Sequence, residues 1–268
     1  MQQDLVIGID SSTSATKATV WSADGVLVAE GRESIPMTKP APGRFEQDPA
    51  DWWGSTVAAL RAVLAQIDPA RIAGMSISNQ RETFGVFRED GTSVRPAMVW
   101  LDQRAIDETE ALAQRVGADK IRAICGKPVD VIVPINRMIW LQDNEPERFK
   151  TIDRYADVHG FLTKRLTGRW VTSTASADPS GMLNLQSLDW SAELLQAANL
   201  PAAIMPTLAR PGEVIGEITR DASEATGLLT GTVLIAGGGD GQCAATGAGA
   251  TEPGVAYMNL GTAVVAGV

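Results

Sequence analysis

Two cysteines and one histidine are all that 268 residues contain of the side chains that usually hold transition metals or form disulfides. Cys125 and Cys243 stand far apart, without CxxC or Cys/His spacing, so a metal finger or disulfide framework has little support and both read as reduced. The lone His159 has no serine or cysteine partner identifiable from sequence, which leaves a hydrolase triad unsupported and makes this histidine structural. Basic residues are outnumbered, 23 against 32 acidic, for a net charge of −9, and no basic run occurs. Nucleic acid and anionic lipid, which require concentrated Lys and Arg, are therefore poor partners. No apolar run reaches the roughly 18–20 residues of a membrane span. The opening MQQDLVIGID lacks the basic region and cleavage site of a signal peptide, so a cytoplasmic location is expected. No internal repeat of solenoid period is found.

What the chain does have is a 44% hydrophobic composition, enough to build a proper core in one large domain or two small ones. It also has an aspartate near each end: Asp10 in VIGIDSSTSATK and Asp240 in VLIAGGGDGQ. Each follows an apolar run that reads as a buried strand, which puts both carboxylates where strands end, the place where open sheets meet ligands. A carboxylate followed by hydroxyls and a lysine can hold a hydrated cation beside phosphate oxygens, and a second can take the proton of an attacking alcohol. The pair points to phosphoryl transfer. Taken singly, Asp10 could instead close a strand through a side-chain turn, and Asp240 could cap a helix.

Further along, Leu5–Ile9, Ala18–Trp21 and Val26–Ala29 predict three early strands, with a tight turn at Asp24-Gly25. Asp48 and Pro49 predict the start of an amphipathic helix that Trp53, Val57, Leu60, Leu64 and Ile67 continue. Strands are expected at Ile72–Ile77, Thr83–Phe87 and Val233–Ala236. Helices are expected at Asp102–Val116, Arg137–Gln142, Val158–Leu166, Ala192–Ala198 and Gln242–Gly247. Residues 170–185 are polar and turn-rich, the composition of a functional loop or an exposed crossing. The ending AYMNLGTAVVAGV predicts an opening strand pair. A domain that begins near Val255 cannot complete a core in so few residues, so more sequence, or a fragment, is expected.

In order along the chain, GIDSSTSATK, EQDPADWW, SNQRETFGVF, PAMVWLDQR, LDWSAELL, GGGDGQ and NLGT resemble the amino-terminal part of an FGGY-family carbohydrate kinase. The resemblance runs from Val6 to the last residue. It implies an α/β fold of the actin-like ATPase (ribonuclease H-like) type, a mixed sheet flanked by helices, with residues 1–254 as the sugar-binding lobe and 255–268 as the incomplete start of the ATP-binding lobe. It further implies ATP and Mg²⁺ as cofactors and a small-molecule sugar or polyol as acceptor, while a homo-oligomer is left open. By position, Asp10 matches the metal-associated aspartate, and Ser12, Thr13, Ser14 and Lys17 lie near the phosphates. Arg81, Glu82 and Trp100 match the acceptor-binding positions, Asp240 the general base, also at the acceptor, and Gly261 and Thr262 the second phosphate loop. The residue types suit these roles, since an adjacent Arg81 and Glu82 offer fixed donors and acceptors and Trp100 offers a flat wall for C–H groups. In isolation, Arg81 and Glu82 would be a solvated charge pair and Trp100 a core side chain.

Two departures shape the substrate reading. Ser12 stands where the family's first phosphate turn carries glycine, so its hydroxyl is expected to serve there. SNQRET resembles glycerol kinases, yet Ile132 stands where those enzymes place a tyrosine against glycerol. EQDPADWW and GGGDGQ resemble xylulokinases, which commonly carry a Met-His type pair at positions 81 and 82. The expectation is a xylulokinase-like enzyme, with a glycerol or short-polyol kinase as first alternative and a catalytically incomplete sugar-binding remnant as second. A dinucleotide-binding oxidoreductase is a weaker third, because Gly239, Gly241 and Ala244 imitate GxGxxA but Asn259 replaces the ribose-binding carboxylate.

Overall fold

The computed structural model describes residues 3–260 and 264–267. Its centre is a six-stranded mixed sheet in the order Val214–Glu217, Val233–Gly239, Ile72–Asn79, Leu5–Ser11, Ala15–Ser22, Leu27–Ser34. Leu5–Ser11 and Val233–Gly239 both run parallel to Ile72–Asn79, and Leu5–Ser11 pairs antiparallel with Ala15–Ser22. Register then does the positioning: Asp10 and Gly238 both lie opposite Ser78, so the carboxyl ends of three strands meet at one edge of the sheet. The three-stranded antiparallel meander at one side is not the strand order of a dinucleotide fold.

Alternation gives the sheet two unlike faces. Leu5, Ile7, Ile9, Ala18 and Val20 are buried against helices, whereas Asp10, Lys17 and Ser78 point to the other face. The covering helix Pro49–Leu64 starts as its sequence predicts, with the Asp48 carboxylate accepting the Ala50 N–H at 2.9 Å and Pro49 in the first turn. Trp52, Ala59, Leu60 and Val63 fill its buried stripe. The helix lies so close to Leu27–Ser34 that a Cβ on Gly31 would fall 2.6 Å from the Ala59 carbonyl oxygen. A second helix, Val158–Thr167, completes this core through Phe161, whose ring stacks on Phe87 at 4.9 Å and meets Trp52 edge-on at 5.8 Å.

A second core, built on Phe84, Met98, Met138, Leu141 and Tyr155, lies under a small sheet ordered Glu46–Gln47, Ala97–Met98, Phe84–Phe87, Arg154–Asp157. The expected helix from Asp102 begins only at Ile106, because the Asp102 carboxylate accepts the Phe45 N–H at 2.7 Å and holds Arg104 at 2.7 Å. Gly117, at φ 93°, then separates it from an unforeseen helix, Ala118–Cys125. The exposed crossing expected over residues 170–185 is also corrected. Most of that segment is buried, as the strand Val171–Ser173, the helix Thr174–Ala177 and a 3₁₀ turn at Asp178–Ser180. Its hydroxyls are satisfied internally: Thr172 donates to Asp157 at 2.8 Å and Ser176 to Asn79 at 2.8 Å. The closing strand pair forms as expected, Tyr257–Leu260 antiparallel to Val264–Gly267.

Candidate active site

The first hairpin presents its turn, residues 12–14, at the strand-end edge. Ser12 closes the turn twice on the Ala15 carbonyl, with its N–H at 3.0 Å and its hydroxyl at 2.8 Å. The hydroxyl expected to serve phosphate is thus engaged within the turn, doing locally what a tighter glycine turn would not need. Beneath lies a buried amide network. Gln47 donates to the Thr13 carbonyl at 2.7 Å and accepts from both Trp52 Nε1, at 2.9 Å, and Gln80, at 3.0 Å. Thr83 in turn donates to Gln80 Oε1 at 2.9 Å. Sequence reasoning passed over Gln47 and Gln80, although both sit inside quoted motifs. The available signal was two amide side chains next to charged residues in segments otherwise read as strand and cap.

Asp10 and Asp240 line one cavity of about 440 Å³, together with Ser12, Lys17, Ser78 and Cys243. Burial raises the Asp10 carboxyl above its usual range, the Asp240 charge raises it further, and Lys17 and Ser78 oppose both. Its Oδ1 is buried and has no hydrogen-bond partner. Asp240 is exposed at the first position of the helix Asp240–Gly247, and its Oδ1 accepts the Gly241 N–H at 2.8 Å. Gly239 holds the cap position and Asp240 follows it, which leaves the second carboxylate oxygen for other work.

An irregularity in the strand Val233–Gly239 aims that helix. The register shifts between Ile235 and Gly238, and the Gly237 N–H turns to His159 Nε2 at 3.2 Å. A Cβ on Gly237 would fall 2.0 Å from the Ile77 carbonyl oxygen, so only glycine fits. His159 is fully buried, and burial pushes its pKa down to about 4; it is neutral, with Nε2 as the acceptor. The structural role assigned to it is the one observed.

Of the residues expected at the acceptor, Arg81 and Glu82 do not pair with each other. Arg81 pairs with Asp178 at 2.7 Å and Glu82 with Lys127 at 3.2 Å. Glu82 adopts a left-handed φ of 55°, a conformation in which a non-glycine residue is strained. Trp100 is 38% exposed, donates its indole N–H to the Thr13 hydroxyl at 2.9 Å and receives support from Thr83 through its main-chain N–H at 3.1 Å. Of the remaining positions, Lys17 borders the cavity but its ammonium is paired with Glu30 at 2.8 Å. Ser14 is exposed at the turn, its carbonyl accepting the Ile35 N–H at 2.9 Å. Gly261 and Thr262 lie outside the described residues. Asp178, Lys127 and Gln242, which sequence reasoning did not single out, are the partners of this group: Asp178 holds Arg81, Lys127 holds Glu82, and Gln242 lies 3.4 Å from Asp178.

The residues suit a magnesium ion that arrives with phosphates. Asp10 offers an orphaned carboxylate oxygen, and no group of three or more His, Cys, Asp or Glu side chains placed to cage a metal occurs among the described residues. Mg²⁺ commonly takes one or two carboxylates, substrate phosphates and water rather than an all-protein cage.

The chain matches the FGGY family of carbohydrate kinases, N-terminal domain, over residues 5–247. It is 31% identical to a xylulose kinase of Escherichia coli (strain K12) over 261 residues, covering 97% of this chain and 53% of that protein. To a glycerol kinase of Thermococcus gammatolerans it is 29% identical over 264 residues, 96% of this chain and 52% of that protein. A solved gluconate kinase from Lactobacillus acidophilus superposes with a TM-score of 0.92 at 27% identity, over 98% of this chain and 53% of that one. The chain therefore spans about half the length of these relatives, and its mixed sheet flanked by helices is the actin-like ATPase fold they share. Site geometry, sheet order and family match agree: the chain belongs to the FGGY family of carbohydrate kinases.

Proposed function

We propose that residues 1–254 form the acceptor-binding lobe of a kinase that transfers the terminal phosphoryl group of ATP to a terminal hydroxyl of a sugar or polyol, and that residues 255–268 open its nucleotide-binding lobe. One observation carries this reading: Asp10 and Asp240, distant in sequence, share one cavity, and each is close enough for the charge of Asp240 to raise the Asp10 pKa. Phosphoryl transfer needs positioning and charge neutralisation more than covalent help from the protein. In the proposed step the acceptor oxygen bonds to the terminal phosphorus and the bond from phosphorus to the bridging oxygen breaks. ADP leaves, and the hydroxyl proton passes to the free carboxylate oxygen of Asp240. Asp10 would hold Mg²⁺, through water, and the ion when bound would neutralise phosphate charge. The main-chain N–H groups of Thr13 and Ser14 are the candidate phosphate contacts of the turn, and Lys17 would exchange Glu30 for phosphate.

For the acceptor we favour a ketopentose such as xylulose. Ile132 presents an apolar side chain where glycerol kinases carry a tyrosine, and its carbonyl is bound by the guanidinium that also binds the Glu82 carbonyl. Glycerol or another short polyol is the alternative. The test is ADP release by the complete kinase, with both lobes present, across ketopentoses and polyols. Asp240→Asn should lower turnover by roughly 10²–10⁴-fold; near-normal turnover removes Asp240 from the base role. Since this chain spans about half of its relatives, a second reading is favoured for the chain alone, a sugar-binding unit without ATP turnover. Sugar binding with no ATP-dependent product is its signature.

A further inference from the structure

Around Asp10 and Asp240 the side-chain cations are engaged with carboxylates, while several side-chain oxygens are not matched. Lys17 pairs with Glu30 at 2.8 Å, Arg81 with Asp178 at 2.7 Å and Lys127 with Glu82 at 3.2 Å. What lacks a partner is Asp10 Oδ1, the outer oxygen of Asp240 and Gln242 Oε1. Asp178 is the centre of this arrangement. Its Oδ2 takes the Arg81 guanidinium and its Oδ1 lies 3.4 Å from Gln242 Nε2, so the amide is turned with its oxygen left over. The clasp closes directly behind the proposed base. A Cβ on Gly239 would fall 2.7 Å from Arg81 Cγ and 2.5 Å from Gln242 Oε1, so glycine alone lets both side chains lie beside Asp240. The Arg81–Asp178 pair is partly open, with side chains 19% and 24% exposed.

Sugar hydroxyls donate as well as accept; an ionised carboxylate only accepts. A sugar acid would bring a further acceptor, and a further negative charge, to a site where Asp10, Asp240 and Asp178 already supply carboxylates. We propose that Asp178 determines the class of acceptor: by holding Arg81 and orienting Gln242 it selects an uncharged, donor-rich ketose or polyol over an aldonate. This rests on the reading of the crevice as the acceptor site and adds the substrate's charge to it. Replacing Asp178 by a neutral side chain frees a guanidinium whose planar donors fit a carboxylate in bidentate fashion.

Calorimetric titration of the 268-residue chain with D-xylulose and with D-gluconate tests the inference. The unaltered chain should bind xylulose at least about tenfold more tightly than gluconate. Asp178→Asn should narrow or reverse that ratio, with gluconate gaining and xylulose losing affinity, and Asp178→Glu, which keeps the charge, should restore the preference. Gluconate binding as tight as xylulose binding in the unaltered chain overturns the inference, whatever the folding of the variants. An unchanged ratio in a folded Asp178→Asn chain overturns it as well. Either result leaves the acceptor-site reading standing, whereas heat from neither ligand removes that reading and the inference with it.

Discussion

The guanidinium of Arg137 donates to the main-chain carbonyl of Glu82, the residue whose left-handed φ of 55° turns the chain out of the SNQRE segment. The same group donates to the carbonyls of Val99 at 2.7 Å, Met98 at 3.3 Å and Ile132. One fully buried cation thus fastens three loops, those that carry Glu82, Trp100 and Ile132, and it does so through carbonyls. Burial pushes its pKa down to about 10, which leaves it charged at neutral pH, and the Phe84 ring lies 5.2 Å below it. The strained turn at Glu82 persists because the surroundings determine it from several sides.

Arg137→Met removes the donor shared by four main-chain carbonyls. The expected loss is about 3–5 kcal/mol, read as a lower midpoint in urea denaturation. Arg137→Lys keeps the charge but offers a compact ammonium in place of a planar fork, so it should recover only part of that loss. Equal midpoints for the unaltered chain and the Met variant would show that the loops are held by other means.

Two glycine-to-alanine changes should act in opposite directions. At Gly237 the new methyl would meet the Ile77 carbonyl oxygen at 2.0 Å, a clash between main chains that no rotamer relieves. Gly237→Ala should cost more than about 2 kcal/mol and disturb the aim of the helix Asp240–Gly247. Gly54 lies inside the helix Pro49–Leu64, where a Cβ would meet nothing within 4 Å. Gly54→Ala should therefore stabilise by about 0.5–1 kcal/mol. Thermal unfolding of the two variants checks both signs.

Which parts of this structure were legible in the sequence follows from the range of the forces involved. The apolar run Leu5–Ile9 and the Asp48-Pro49 start of the first long helix are local signals, and the strand and the helix start form where expected, although the helix ends at Leu64, short of Ile67. The convergence of Asp10 and Asp240 was legible because each carboxylate ends a strand and parallel strands bring their ends to one edge. Partner choice among charges was not legible. Adjacent Arg81 and Glu82 suggest a pair, but Asp178, 97 positions from Arg81, and Lys127, 45 from Glu82, capture them through tertiary packing. The burial of residues 170–185 was missed for the same reason, since Thr172 and Ser176 find their acceptors, Asp157 and Asn79, on other elements.

Asp157 and His159, neighbours at the start of the helix Val158–Thr167, should bend the pH dependence of stability in opposite senses. Burial raises the Asp157 carboxyl from 3.8 to about 6 and lowers the His159 imidazole from 6.5 to about 4. Between these limits the folded chain binds the Asp157 proton more tightly than the unfolded chain does, so this contribution is full at low pH and lost as pH rises through about 6. His159 does the reverse: the folded chain excludes its proton, so stability is present above 6.5 and lost as pH falls toward about 4. Each contribution is on the order of 3 kcal/mol, and in the unaltered chain they oppose one another. His159→Gln, whose amide oxygen can still accept from Gly237, should therefore gain stability on acidification from pH about 6 to about 4, relative to the unaltered chain. Asp157→Asn should lose it more steeply. Parallel stability–pH curves for all three chains would contradict both assignments.

The bond from the Trp100 indole to the Thr13 hydroxyl, 2.9 Å long, joins the proposed phosphate turn to the proposed acceptor wall. If this bond sets the distance between the two substrates, either partner alone suffices to break it, and breaking it twice adds nothing. Trp100→Phe keeps an aromatic wall but loses the donor, and Thr13→Val keeps the shape but loses the acceptor. In the complete kinase each change should raise KM for the sugar several-fold, by about 1 kcal/mol of binding, and the double variant should be no worse than the poorer single. The nucleotide KM should follow for Thr13→Val, whose turn lies at the proposed phosphate site, and rise less for Trp100→Phe. A fully additive double variant would mean that the indole and the hydroxyl act separately, with Trp100 serving as a wall and Thr13 only as part of the turn.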